Sequence, residues 1–296
     1  MSSNDLVTVI VPAFNAEKYI DQCLESLVKQ SYRNMEILVL DDGSVDGTLE
    51  KLRLWAIRDD RIRMISRENR GLIVTLNELV AHSTGRYIAR MDADDYCHAD
   101  RIRLQVLALN GGLAMVGSNC FVVDEASHVV GSYKFEKRHS QIDVDGLFRV
   151  QFCHPSVIFD MQKIKMADLY YDPVYRHAED LELWFRLLQK YKCGNLGVNL
   201  LYLRRGHATN VSSVHAKEQF VNTVDIVARY AGVKISSEDV LNLRQRENVF
   251  MFARSGARVG RALLNNSFMR GMFFFRKLSL ILMVASARKL AGGWWR

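Results

Sequence analysis

No two of the five cysteines stand as a CxxC pair: Cys23, Cys97, Cys120, Cys153 and Cys193 are odd in number and scattered. That argues against a disulfide framework and a zinc ribbon, and leaves reduced thiols, partly in a core, as the reading. No GxGxxG follows the first apolar run and no GxxxxGK[ST] occurs, so neither the dinucleotide fingerprint nor a P-loop is supported. Internal repeats, low-complexity tracts and long Pro/Gly linkers are also missing. The opening MSSNDLVTVIVP has no basic stretch ahead of a long apolar core, so a secretory signal is not expected and synthesis for the cytosol is. Acidic residues run out after Glu247, where Arg254, Arg258, Arg261, Arg270, Arg276, Lys277, Arg288, Lys289 and Arg296 follow. Of 40 basic and 33 acidic side chains, those nine lie in the last 49 residues, leaving 31 against 33 before them. The net charge of +7 therefore belongs to the tail and not to the body.

What is present is an alternation. LVTVIVP (6–12), MEILVL (35–40), RIRMIS (61–66) and RYIARM (86–91) read as strands, the first, second and fourth of them buried. Between them, AEKYIDQCLESLVKQ, SVDGTLEKLRLWAI and LIVTLNELVAHS read as helices, the first with Tyr19, Ile20, Leu24, Leu27 and Val28 at helical spacing. Short apolar strands separated by helices are the signature of βαβ units and a mostly parallel sheet covered on both faces. Ligands on such sheets sit at the carboxyl ends of the strands. Here those ends are VPAFN, DDGS, ENRG and DADD, all polar or turn-forming, which predicts one site assembled from several of them. Further strands are expected in LAMVGSNCFVVDE, GSYKFE, SVIF and NLGVNLLYLRR, and a helix in LELWFRLLQKYK. From Ala216 the pattern is helical, with Ser236 and Ser237 ahead of Glu238 and Asp239 as a cap.

The carboxylates carry the chemistry. MDADD, Met91 to Asp95, places three acids within four positions, and such crowding calls for a cation. Hard divalent ions such as Mg²⁺ or Mn²⁺ prefer carboxylate oxygens and substrate phosphates, and Asp92 and Asp94 can aim at one ligand from a turn. The alternative is a turn in which Asp94 or Asp95 caps the helix DRIRLQVLAL. Asp41 and Asp42 of DDGS close another strand, and on their own are ordinary turn chemistry.

In their order and spacing, VTVIVPAFNAEKYIDQCLESLVKQ, ILVLDDGSVDGT and ENRGLIVTLNELVAHSTGRYIARMDADD resemble the nucleotide-binding half of family 2 glycosyltransferases of the bacterial surface-polysaccharide type. The resemblance is dense over residues 6–103 and extends to about residue 212. It implies an α/β GT-A fold: a Rossmann-like nucleotide-binding mixed sheet flanked by helices, with a C-terminal helical extension. Pro12, Ala13 and Phe14 would then contact the uracil and ribose with Glu17 nearby, Asp42 would accept a hydrogen bond from the base, and Arg70 would flank it. Asp94 would bind the Mn²⁺ or Mg²⁺ that bridges the diphosphate, Asp92 would approach the ribose or the metal, and Asp95 would make a sugar or structural contact. AEDLELWFRL matches the acidic pair that introduces a later helix, making Asp180 the general base and Glu179 a supporting acid. Two first-turn helix acids would look the same in sequence. YLRRGHATNVS resembles the family's R-x-H-x-x-N-x-S segment through Arg205, His207, Asn210 and Ser212, so Arg205 would bind the nucleotide sugar and His207 would reach the diphosphate or metal, the alternative for His207 being a solvated loop histidine. His154, ahead of Pro155, is read as acceptor-side or structural.

The expected division is a GT-A catalytic domain over 1–215, with a nucleotide-sugar half at 1–95 and an acceptor half at 96–215, and a basic, apolar helical region over 216–296. In that region the longest apolar-plus-small run, Leu278 to Ala287, is ten residues, half of the ~20 a spanning helix needs. Basic residues interleaved with aromatics favour a peripheral, interfacial helix on an anionic membrane, on the cytoplasmic face of the inner membrane. The alternative is packing on the catalytic domain or on another subunit. No nucleic-acid module is recognisable. The expectation is an inverting hexosyl- or N-acetylhexosaminyl-transferase that uses a nucleotide-sugar donor, in first place a UDP-sugar, and a glycan or lipid-linked oligosaccharide acceptor. A sugar nucleotidyltransferase and a non-catalytic scaffold on the same fold are its rivals.

Overall fold

The computed structural model describes residues 4–205, 216–230, 236–245 and 249–266, together with most positions between 271 and 279. Strands β1 (Val7–Ala13), β2 (Met35–Asp41), β3 (Ile62–Ser66) and β4 (Tyr87–Arg90) are parallel and alternate with helices α1 (Ile20–Val28), α2 (Thr48–Arg58) and α3 (Leu72–His82). Beyond them come β5 (Tyr96–Cys97), α4 (Arg101–Asn110), β6 (Met115–Val123), β7 (Val129–Tyr133), α5 (His139–Asp145), β8 (Ile158–Asp160), α6 (Glu179–Lys190) and β9 (Cys193–Arg204). The strands form one sheet in the order β3-β2-β1-β4-β8-β6-β9-β5, with β7 hairpinned onto β6. β8 joins antiparallel to both β4 and β6, so the segments after Asp95 continue the sheet begun by the first four strands.

The hydrophobic pattern explains the layering. Every residue of β1 is buried because the sheet is covered on both faces. Val7, Val9, Val11 and Ala13 meet α1, α2 and α4 on one face, while Ile10 of β1, with Leu38, Leu40 and Ile88, meets α3 and α6 on the other. In α6, Leu183, Trp184, Leu187 and Leu188 are buried, as their helical spacing requires. All five cysteines are buried and free.

Among the described residues after the sheet are helices α7 (Ala216–Tyr230), α8 (Ser237–Gln245) and α9 (Val249–Asn266), and the described positions between 271 and 279 are helical as well. The predicted cap of α8 is present, for Asp239 N donates to Ser236 Oγ at 3.1 Å and Ser236 Oγ donates to Asp239 Oδ2 at 2.8 Å. A third apolar cluster joins this region to the sheet-bearing body, with Ile226, Val227, Val240, Leu243, Val259, Leu263, Phe274 and Leu278 against Val144, Phe148, Leu181 and Phe185. Phe274 stacks on Phe148 at 5.1 Å between ring centres, and Lys277 Nζ lies 2.7 Å from both Glu136 and Asp145. This part of the tail therefore packs on the body, and Phe274 and Leu278 have no free apolar surface to offer a membrane. Trp294 and Trp295 lie outside the described residues, and among those described no helix is long and apolar enough to cross a membrane.

Because Phe274 is fully buried, Phe274→Ala should lower the unfolding free energy by about 3–5 kcal/mol in a denaturant titration.

Candidate active site

The strand order reverses between β1 and β4, since the chain runs outward from β1 through β2 to β3 and returns to β1's other side with β4. That reversal opens a crevice beyond the carboxyl ends of the strands. β1 and β4 are paired only as far as Ile10 with Arg90, so VPAFN on one side and DADD on the other diverge around it. Pro12 lies past that last pair, where its missing N–H costs no bond to β4. Pro12 and Ala13 are buried, and Phe14 is 52% exposed at the mouth.

The loops at the ends of β1, β2 and β3 are laced together. Asn15, at φ 49°, receives Val45 N on its Oδ1 at 2.9 Å and donates its own N–H to Ser44 Oγ at 2.9 Å. Glu17 Oε2 accepts Gly47 N at 3.0 Å, so the carboxylate of Glu17 is occupied in holding the β2–α2 loop. Asp41 accepts from Ser44 N at 3.2 Å and from Ser66 Oγ at 2.9 Å. Asp42 is 4% exposed and accepts Arg70 N and Gly71 N, each at 2.9 Å, while also pairing with Arg67. It thereby fixes the ENRG loop and leaves the Arg70 side chain exposed at the crevice end. The glycine between these loops is required: Gly43 has φ 74°, and a Cβ there would lie 2.7 Å from Asn69 N.

Asp92, Asp94 and Asp95 each bring a carboxylate oxygen within 4.8 Å of the others. None of them caps a helix, because β5 intervenes and α4 begins only at Arg101. Asp95 is 1% exposed; Oδ1 accepts Arg204 N at 2.7 Å, and Oδ2 is buried with no hydrogen-bond partner. Burial and the neighbouring charges of Asp94 and Asp92 push its carboxyl well above the usual carboxylate range. A hard divalent cation suits this set, since it would satisfy the orphaned oxygen and relieve the repulsion. The residues present thus fit such an ion, with Asp92 and Asp94 the more accessible ligands.

From the other side, α6 presents Glu179 and Asp180 in its first turn. Arg90 is 2% exposed, and its Nη2 is 2.5 Å from Asp92 Oδ1. Arg90 also acts electrostatically on Glu179 and Asp180, so the juxtaposition expected of DADD and AED is present. Asp180 Oδ1 accepts Leu181 N at 2.7 Å. Burial raises both acids, and the charge of Asp180 adds to the rise of Glu179, which is pushed up to about 7. His154 Nε2 is 3.1 Å from the Tyr171 hydroxyl, and its ring meets the edge of Trp184. Burial and the Arg90 charge hold that imidazole well below its usual range, hence neutral.

Arg205, exposed at the end of β9, acts electrostatically on Asp95, whereas His207 lies outside the described residues, as do Asn210 and Ser212. The sequence reading passed over Arg90 and Arg204. Arg204 is 2% exposed and donates from Nε to Asp94 O at 3.1 Å, from Nη1 to Asp124 O at 2.7 Å, and from Nη2 to Gln22 Oε1 at 2.7 Å. It ties the acidic turn to α1 and to the β6–β7 hairpin. A basic residue inside an otherwise apolar strand, as in YIAR and LLYLR, is the signal that could have found both.

Among known families, the model described as glycosyl transferase family 2 matches residues 8–164. An uncharacterized glycosyltransferase of Haemophilus influenzae is 33% identical over 230 residues, which are 74% of this chain and 71% of that one. The crystal structure of S. aureus TarS 1-349 in complex with UDP-GlcNAc superposes with a TM-score of 0.66 at 19% identity, covering 98% of this chain and 93% of TarS 1-349. The mannosyltransferase PcManGT from Pyrobaculum calidifontis, in complex with GDP-Man and Mn²⁺, gives 0.61 at 18% identity, covering 98% and 88%. These two likenesses establish the GT-A fold.

Since Glu179 holds its proton more tightly folded than unfolded, its contribution to stability is lost as pH rises from about 4.3, the unfolded value, through about 7. Denaturation midpoints at pH 4.5 and pH 8 should show wild type losing more stability over that interval than Glu179→Gln.

Proposed function

The chain belongs to glycosyl transferase family 2, and on that premise we propose that it is an inverting, divalent-metal-dependent glycosyltransferase. In this reading it moves a sugar from a UDP-sugar to a hydroxyl of a lipid-linked glycan during assembly of surface polysaccharide. The observation that carries the proposal is the convergence, at the β1/β4 crevice, of the DADD carboxylates with the acidic start of α6 across one buried arginine.

Roles follow from surroundings. Phe14, exposed at the mouth, offers a face on which a base can stack, and Arg70 flanks the same end. Asp42, with Pro12, Ala13 and Glu17, shapes the nucleotide pocket from behind; its carboxylate already serves two backbone amides, and a base N–H would share it. The TarS complex supports uracil as the base, while the PcManGT complex shows that this fold also receives guanine. Asp94 and Asp92 would hold Mn²⁺ or Mg²⁺, with Asp95 behind them. When bound, such an ion supplies positive charge to the departing diphosphate. Arg205 adds a cation on the same side.

Removal of the acceptor proton falls to Asp180, and inversion follows from a single displacement with this carboxylate opposite the leaving group. The α6 N-terminus and Arg90 favour its ionised form against the cost of burial. Glu179, with its carboxyl raised to about 7, keeps its proton in part of the population at neutral pH and in that form can donate a hydrogen bond to the acceptor. His154, neutral and braced by Tyr171 and Trp184, forms part of the acceptor wall.

A lipid-linked acceptor and peripheral membrane contact are supported by the unbalanced charge after Glu247 and by Arg254, Arg258 and Arg261, exposed on one stripe of α9. Because Phe274 and Leu278 belong to the core, the informative truncation starts after them. Removing residues 280–296 takes away Arg288, Lys289 and Arg296, each worth about 1 kcal/mol at an anionic surface.

Four outcomes are expected. With Mn²⁺ and a panel of nucleotide sugars, wild type releases free UDP; release of pyrophosphate would instead identify a nucleotidyltransferase. Asp180→Asn should lower the transfer rate by about 10²–10⁴-fold with UDP affinity little changed, and Asp94→Ala should abolish the metal dependence of UDP binding, measured calorimetrically. The 280–296 truncation should weaken binding to vesicles containing anionic lipid by roughly tenfold or more; unchanged partitioning would refute the membrane role.

A further inference from the structure

Arg90 has a guanidinium that the proposed reaction leaves only partly used. Its side chain is 3% exposed, and Nη2 alone has a hydrogen-bonding partner, Asp92, while Nε and Nη1 are buried without one. Leaving two donors of a buried guanidinium unmatched is costly, so the observed pose is not one the group would choose for its own hydrogen bonds. The main chain cannot shift to improve it: Arg90 N donates to Val157 O at 2.9 Å, and Arg101 Nη2 donates to Arg90 O at 2.6 Å. Only the side chain is able to move.

We propose that Arg90 is a positioning residue, an internal counter-cation that occupies Asp92 until a divalent cation takes its place. The inference rests on the divalent site proposed above. In the absence of metal, three carboxylates within 4.8 Å repel one another, and the Arg90 guanidinium is the side-chain cation paired with Asp92. A divalent ion on Asp92 and Asp94 would repel the guanidinium and compete with it for the same carboxylate. Once displaced, Arg90 has Glu179 and Asp180 within its electrostatic reach, together with the two nitrogens that lack partners. Loading of the donor side would thereby deliver a positive charge to the acids of the acceptor side. Arg204 cannot substitute, because all three of its guanidinium nitrogens already donate to fixed oxygens.

The test is Mn²⁺ binding without any nucleotide, read from the free-ion signal in electron paramagnetic resonance. Removing one competing charge should tighten Mn²⁺ binding on the order of tenfold in Arg90→Met, whereas Arg90→Lys should stay within about threefold of wild type. Equal or weaker binding by Arg90→Met would overturn the proposal. Should Arg90→Met fail to fold, the same question is put to wild type by nitrogen-15 arginine spectra. The Arg90 Nε resonance, assigned by its absence from Arg90→Lys, should shift on saturation with diamagnetic Mg²⁺, and a resonance that stays in place would count against it. If wild type takes up no divalent ion, the metal site itself fails and the role of Arg90 goes with it. If wild type and Arg90→Met bind Mn²⁺ alike, only the role of Arg90 falls.

Discussion

Three carboxylate oxygens held within 4.8 Å of one another at the end of β4 are the constraint around which the rest of this structure is arranged. Such crowding is unfavourable unless cations or hydrogen-bond donors are brought to it, and the chain brings them from distant segments. Arg90 comes from the strand itself, the Arg204 amide and guanidinium from the far end of β9, and Arg205 from the residue after it. The nine-residue β6 and the twelve-residue β9 run in parallel, and β9 returns to the acidic turn at its own carboxyl end. The second half of the sheet thus supplies the counter-charge for the first.

The acids of the crevice separate into two kinds by what their oxygens touch. Asp41, Asp42 and Glu17 are occupied by backbone amides, hydroxyls or Arg67, and they fix the shapes of three loops. Asp92, Asp94 and Asp95 instead crowd one another, Arg90 acts on Asp92, Glu179 and Asp180, and the carboxyls of Asp95, Glu179 and Asp180 are raised even though Asp95 and Asp180 each accept one backbone amide. A protein that aimed only at stability would replace such a group with apolar side chains, since buried charge seldom repays its desolvation. Its retention at the carboxyl end of a sheet, at a topological switch point, is the physical mark of a site for chemistry.

The C-terminal region divides in a similar way. Phe274, Leu278 and Lys277 complete the body of the protein, through a ring stack, burial and two ion pairs, while the arginines of α9 remain on the surface. The sequence left membrane contact and packing on the body both open for that stretch, because the aromatic and basic residues that suit a membrane surface equally suit a helix packing on an acidic, apolar one.

The sequence by itself determined the alternation of elements, the two-sided burial of β1, β2 and β4 and the polar strand ends, since periodicity and turn chemistry are local properties of the chain, whereas β3, at the sheet edge, is only partly buried. It also singled out DADD, because acids grouped at a strand end are visible without any fold, whereas AED stood out only through the family resemblance. Whether Asp94 and Asp95 capped a helix was not decidable from spacing, and the intervening β5 excluded the cap. Only the tertiary structure showed that Glu17 and Asp42 are committed to loops, and that Arg90 joins two acidic groups some ninety residues apart. The physical reason is the same in each case: the state of a carboxylate depends on which donors and charges reach it, and these arrive from segments whose proximity exists only once the sheet has closed.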